Sequence, residues 1–261
     1  EDSATVNRLF VQNFPYNEWA PIFSARNIDT YTRARYYKRA VDEKRQFIKM
    51  YASSGSISDK YSVEAAAKLS GYLGKYLDDL SHMDYVAAQK SKNKATRKKL
   101  FLRAAEYYQT YVSILPPSKD TGDKLFLSGE AYFNAGDYAK SVPIYLDAAY
   151  GEHDHKKRQS AAYNAIIAYQ NSPEGRQVEA FRGSNVSGKS NISDDTRLVV
   201  NKEIELSDRY TESYSADSKT PILLANSANL HYGLAQYAEA ADYAARVYDH
   251  KKSDKKLKKN L

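Results

Sequence analysis

Apolar residues recur along this chain at helical spacing and almost nowhere alternate with the period of a strand. From Ile28 to Ala52, Tyr37, Val41, Phe47, Ile48 and Tyr51 fall at positions that predict one amphipathic helix. The run SSGSIS breaks it, and Ser58 or Asp59 is placed to cap the next helix, Lys60 to Leu80. A polar stretch follows, and Lys94 to Leu115 then reads as helix until Pro116-Pro117 ends it. Thr121 to Ala135 and Asp137 to Tyr150 form a hairpin about Gly136, a residue suited to the left-handed position that closes a helix. His155 to Gln170 is a further helix. Asn171 to Asp194, with Pro173 and a polar Gly/Ser/Asn cluster, reads as a long loop. Helices resume at Asp195 to Ser213, Pro221 to Leu234 and Gln236 to His250, the second with proline in its first turn. The pattern predicts an all-α chain of roughly nine helices.

Composition narrows the chemistry. There is no Cys, which removes disulfides, thiolate nucleophiles and Cys-ligated metals. No apolar run approaches the ~18–20 residues needed to span a bilayer, so no transmembrane segment is expected. Glu1 stands where an initiator Met would, without a basic-then-apolar leader after it, so a removed leader or a fragment is expected. Tyrosine is abundant, 24 against 8 Phe and 1 Trp, and its apolar body with a polar tip suits half-buried seams between helices. The net charge of +7 is local: Lys90 to Lys99 carries +6 and Lys251 to Lys259 carries +5, which leaves about −4 elsewhere.

Paired helices prompt a search for repeats. In residues 121–150, Leu125, Gly129, Tyr132, Gly136, Tyr138, Ser141, Tyr145 and Ala148 follow one another in the order of a helix–turn–helix unit of ~34 residues. Leu224, Ala228, Tyr232, Tyr237, Ala240 and Val247 repeat that order across a turn read as one residue shorter. Helices 155–170 and 195–213, and 60–80 and 94–115, extend the pairing by continuity. These residues resemble the tetratricopeptide (TPR) repeat, lacking only its closing proline, where His153 stands. The resemblance implies a right-handed α-solenoid, with residues 1–53 continuing or capping a repeat array at 54–261. An ordinary helical bundle that reuses Ala and Tyr for packing is the alternative. The run VPIYLDAAYGEHDHKKRQSAAYNAIIAYQ is also similar to large envelope TPR proteins of Gram-negative, delta-proteobacterial type. That likeness implies a periplasmic or outer-membrane-associated scaffold, of a kind used in motility or envelope assembly, with no cofactor and no catalytic residue.

Four local motifs bear on function. Gly183 to Ser190 matches the phosphate-loop pattern G-x-x-x-x-G-K-S, but that chemistry needs a strand before it and a helix after it, and neither pattern flanks it. Asn185 and Asn191 head N-x-S sequons, chance matches in a bacterial envelope protein. Glu152-His153-Asp154-His155 has metal-ligand residue types at spacings that enclose a tetrahedral ion poorly. The two Lys-rich runs invite an anionic-surface or nucleic-acid reading, yet aromatic interleaving is absent inside both. What remains is a protein or peptide partner, not a small-molecule substrate. The TPR register places Phe126, Glu130, Phe133, Asn134, Tyr163, Ile167, Gln170, Asn229 and Tyr232 along a concave groove suited to a docked helix or extended peptide. The same residues could instead contact neighbouring helices of their own chain.

Overall fold

A computed structural model describes residues 2–52, 61–183 and 192–259, which contain thirteen helices and no strand. Two compact units divide the chain, Glu1–Ala135 and Gly136–Leu261. In the first, α1 (Asp2–Asn13), α2 (Ala20–Arg33), α3 (Tyr37–Tyr51), α4 (Val63–Lys90), α5 (Lys94–Ile114) and α6 (Thr121–Ala135) each pack on the next. Its core joins Ile28, Phe47 and Tyr51 to Leu69, Tyr76 and Leu80. In the second unit, α7 (Tyr138–Tyr150), α8 (Arg158–Asn171), α9 (Pro173–Gly183), α10 (Asp194–Ser213), α11 (Thr220–Gly233) and α12 (Tyr237–Asp249) also pack mainly in chain order, and α13 (Lys255–Lys259) follows.

Three expectations are corrected. The helix drawn from Ile28 to Ala52 is two helices, because Arg35 takes a left-handed φ of 61° and turns the chain back. The polar stretch after Leu80 is helical to Lys90. Ser81 and Asp84 face inward, and Arg103 of α5 grips the buried Asp84 carboxylate at 2.5 and 2.6 Å. The loop expected over 171–194 holds α9. Ser172 caps it by accepting from the Gly175 amide at 3.1 Å, Pro173 occupies the first turn where its missing N–H is harmless, and Val178 is buried. The proposed caps Ser58 and Asp59 lie outside the described residues; Ser62 serves α4, accepting from Ala65 N.

One turn conformation occurs three times. Arg35 (φ 61°), Gly136 (φ 76°) and Ala235 (φ 61°) are left-handed, and Tyr36, Asp137 and Gln236 follow with φ between −82° and −93° and ψ between 58° and 71°. At the first and last turns the amides of residues 36 and 236 bond to the carbonyls of 31 and 231 at 2.8 and 2.9 Å. Those of 35 and 235 bond to 32 and 232, the Schellman pattern that satisfies the free carbonyls ending a helix. Register is shared on both sides of the turn. Asn27, Ser128 and Ser227 are buried before it, and Ala40, Ser141 and Ala240 with Phe47, Ala148 and Val247 are buried after it. The turn at 235 is therefore as long as that at 136, and Tyr132 corresponds to His231 rather than to Tyr232.

The likeness of α2–α3 to α11–α12 extends upstream at a constant offset of 200 residues. After α1 and α10, Asn17 and Asp217 each accept from the amide two residues on, Trp19 and Lys219, at 3.0 and 2.8 Å. The residues before them repeat an aromatic pair: the Phe10 and Phe14 rings are 5.4 Å apart, those of Tyr210 and Tyr214 5.1 Å. Residues 2–51 and 202–249 are two versions of one three-helix element, one in each unit.

Candidate functional site

The predicted groove residues separate into those directed inward and those left open. On α6, Phe126 is only 5% exposed, which leaves almost no surface for a partner and corrects its place in the groove. Glu130 is half-buried and accepts from the Tyr85 hydroxyl at 3.3 Å. Burial, with the Glu130 charge beside it, pushes the Tyr85 phenol up to about 12. Asn134 is exposed and donates to the Glu130 carbonyl, while Phe133 is half-buried.

On α8, Tyr163, Ile167 and Gln170 share a half-buried face, as their spacing requires. Tyr163 meets Tyr210 edge-on at 5.9 Å, and the Lys219 ammonium lies 4.9 Å from its ring centre. Gln170 donates to Glu203 Oε1 at 2.7 Å, and Arg182 of α9 reaches the same oxygen at 2.6 Å. Glu203 is fully buried and its Oε2 has no hydrogen-bond partner among the described residues. Tyr163 and Gln170 thus serve contacts of their own unit, the alternative the sequence left open. On α11, Asn229 is exposed, and Tyr232 is 50% exposed with its ring 5.4 Å from that of Tyr237.

Sequence reasoning missed a polar lock that both three-helix elements carry at matching positions. In the first, Arg8 Nη2 lies 2.9 Å from the Tyr31 hydroxyl and 3.0 Å from Glu43. In the second, Tyr243 donates to Asp208 at 2.7 Å with the His231 ring 5.0 Å away, and His231 Nδ1 is 2.7 Å from Gln236 Oε1. Burial raises the Asp208 carboxyl, and both burial and the Asp208 bond raise the Tyr243 phenol. Arg–Tyr–Glu in one copy and Asp–His–Tyr in the other tie the same three helices together. Such interchange of chemistry at fixed positions is what a structural lock tolerates. The signal in the sequence was the pairing of Pro21, Ile22, Ala25, Tyr37 and Ala40 with identical residues 200 positions on.

The other motifs find plain surroundings. Of the phosphate-loop match, Gly183 ends α9, so a helix precedes it where a strand is required, and residues 184–190 lie outside the described residues. Asn185 and Asn191 lie outside them too. His155 uses both ring nitrogens locally, Nε2 at 2.7 Å from the Ala148 carbonyl and Nδ1 accepting from the Lys157 amide. Lys92, Lys94, Arg97, Lys98 and Lys99 are exposed around the start of α5, and Lys255 and Lys256 on α13. No described helix is long and apolar enough to cross a membrane. No protein-family model matches the chain, and no curated protein is similar to it in sequence.

Proposed function

We propose that this chain is a non-catalytic scaffold of TPR-like hairpins, stacked as a right-handed α-solenoid, that binds a protein or peptide partner through the open faces of its first-of-pair helices. The observation that supports the reading is the turn conformation that recurs three times, with its shared register of buried small and apolar positions. A hairpin cannot bury its apolar face alone, so repeated hairpins stack and offer a surface that no single helix provides. Phe133 and Tyr232 occupy equivalent positions three before the left-handed residue, and Tyr232 keeps half its surface open. An envelope location belongs to the proposal and rests on the sequence resemblance alone.

The test is capture of a partner from periplasmic extract by the wild-type chain, with Phe133→Ala/Tyr232→Ala as control. Binding about tenfold weaker or worse, with unchanged helicity and melting, is the expected result. If both substitutions instead unfold the chain, they are core residues and the groove assignment fails. Capture from cytosolic extract alone would overturn the envelope placement.

A further inference from the structure

The two lysine-rich runs fare differently in the fold. In the second, Leu257 of α13 packs on the Leu224, Ala225 and Val247 cluster, its amide donates to Asp254 Oδ1 at 2.6 Å, and the Lys258 ammonium lies 4.7 Å from the Tyr248 ring centre. The first run forms the tip of the α4–α5 hairpin, where every residue from Lys92 to Lys99 is exposed. Several lysines elsewhere sit against carboxylates: Lys44 on Asp79 at 2.7 Å, Lys202 on Glu205 at 3.0 Å, and Lys124 on Asp78. Lys90, Lys92, Lys94, Arg97, Lys98 and Lys99 have no ion-pair partner among the described residues. No acidic side chain lies between Asp84 and Glu106.

This run does not serve its own helix. Cations near a helix N-terminus oppose its partial positive charge, and Lys94, Arg97 and Lys98 stand in the first two turns of α5. Spaced three and four apart, they also repel one another. The turn that carries them is nevertheless fixed. The Ser91 amide donates to the Ala88 carbonyl at 3.2 Å, and Asn93 Oδ1 accepts from the Thr96 amide at 2.9 Å. The tip is internal, closed by α4 before it and α5 after it. Concentrated positive charge that destabilises its own helix, held on a fixed and exposed turn, is complementary to a dense negative surface.

We propose that the α4–α5 tip docks on an anionic phospholipid bilayer, its lysines among the headgroup phosphates and no helix entering the hydrocarbon. Residue type selects this occupant. Protein interfaces favour aromatics and arginine and are depleted in lysine, and single-stranded nucleic acid is held by stacking on aromatics. From Gln89 to Lys99 there is no aromatic, and the cations are five lysines to one arginine. Shape separates a bilayer from duplex nucleic acid. Both α4 and α6 pack on α5, so only its first turns project. A projecting end touches a convex duplex at few phosphates, whereas on a flat bilayer each side chain finds its own headgroup. Ala95 is the only apolar residue in that stretch, so contact stays at headgroup level.

The test is co-sedimentation of the intact chain with vesicles of phosphatidylcholine, alone or mixed with phosphatidylglycerol. Binding is expected only with the mixed vesicles, and it should fall as salt is added. Lys92→Gln/Lys94→Gln/Arg97→Gln/Lys98→Gln should weaken it at least about a hundredfold, while melting holds or rises because the conflict with the helix dipole is removed. Lys255→Gln/Lys256→Gln/Lys258→Gln/Lys259→Gln should weaken it less than about tenfold. Phe133→Ala/Tyr232→Ala should leave it unchanged, which separates the tip from the groove. No binding to the mixed vesicles, or a tip variant that binds as the wild type does, overturns the proposal. So does a loss confined to the α13 variant, or displacement from the vesicles by duplex DNA at equal phosphate concentration, which would make nucleic acid the occupant. A clearly lower melting temperature of the tip variant would place the run in the fold itself and overturn it too.

Discussion

A left-handed backbone is easily adopted by glycine and disfavours any residue with a Cβ by roughly 1–2 kcal/mol. The three turns meet that requirement with Gly136, Arg35 and Ala235. Replacement at these sites should therefore run in opposite directions. Ala235→Gly is expected to raise unfolding stability by about 1 kcal/mol, and Gly136→Ala to lower it by a similar amount. A Cβ at Gly136 meets no described residue within 4 Å, so its effect isolates the backbone from any clash. Denaturant midpoints of the two variants check this, and a shift of the same sign in both would show that contacts, not torsion, govern these turns. The same chemistry explains what was legible. The turn at 136 announced itself through glycine. The turn at 35 sits in Ala-Arg-Tyr, which carries no turn residue, so the apolar spacing on either side read as one helix.

At the scale of elements, helix type was readable and helix ends were not, because the ends depend on partners distant in sequence. The segment after Leu80 looked polar since Ser81, Asp84 and Lys90 carry no apolar signal. It is helical because Asp84 is held by Arg103, nineteen residues away on α5. Pro173 reads as a breaker by residue type, whereas behind the Ser172 cap it starts α9. The Asp84–Arg103 pair also carries an asymmetry that can be measured. Asp84 is buried and Arg103 about one-third exposed, so the two partners are stranded unequally when one is removed. Arg103→Met leaves a buried carboxylate unpaired and should destabilise by about 3–5 kcal/mol. Asp84→Asn retains a hydrogen-bonding amide beside a cation that can turn to water, and should have a clearly smaller effect. Urea unfolding of both variants decides it. Equal losses would mean that the pair contributes only through packing.

Across the whole molecule the tyrosines set the response to pH. Burial raises the phenols of Tyr51, Tyr76, Tyr107 and Tyr108 in the first unit, and lifts Tyr150, Tyr169 and Tyr210 of the second to about 12. These groups are neutral when protonated, and their folded pKa lies above the unfolded value of about 10. The native chain then holds more protons than the unfolded one, so stability is fully present below pH 10 and falls as pH rises through the folded values. The groove and the core draw on the same residue type, so alkaline titration reads them together. Phenolate absorbance should rise in two stages, the first with helicity intact and the second coincident with cooperative loss of the helical circular-dichroism signal near or above about pH 12. A single absorbance stage with helicity retained throughout would mean that these hydroxyls reach water in the folded chain. The buried tyrosine seams would then contribute far less to holding the helices together than their burial implies.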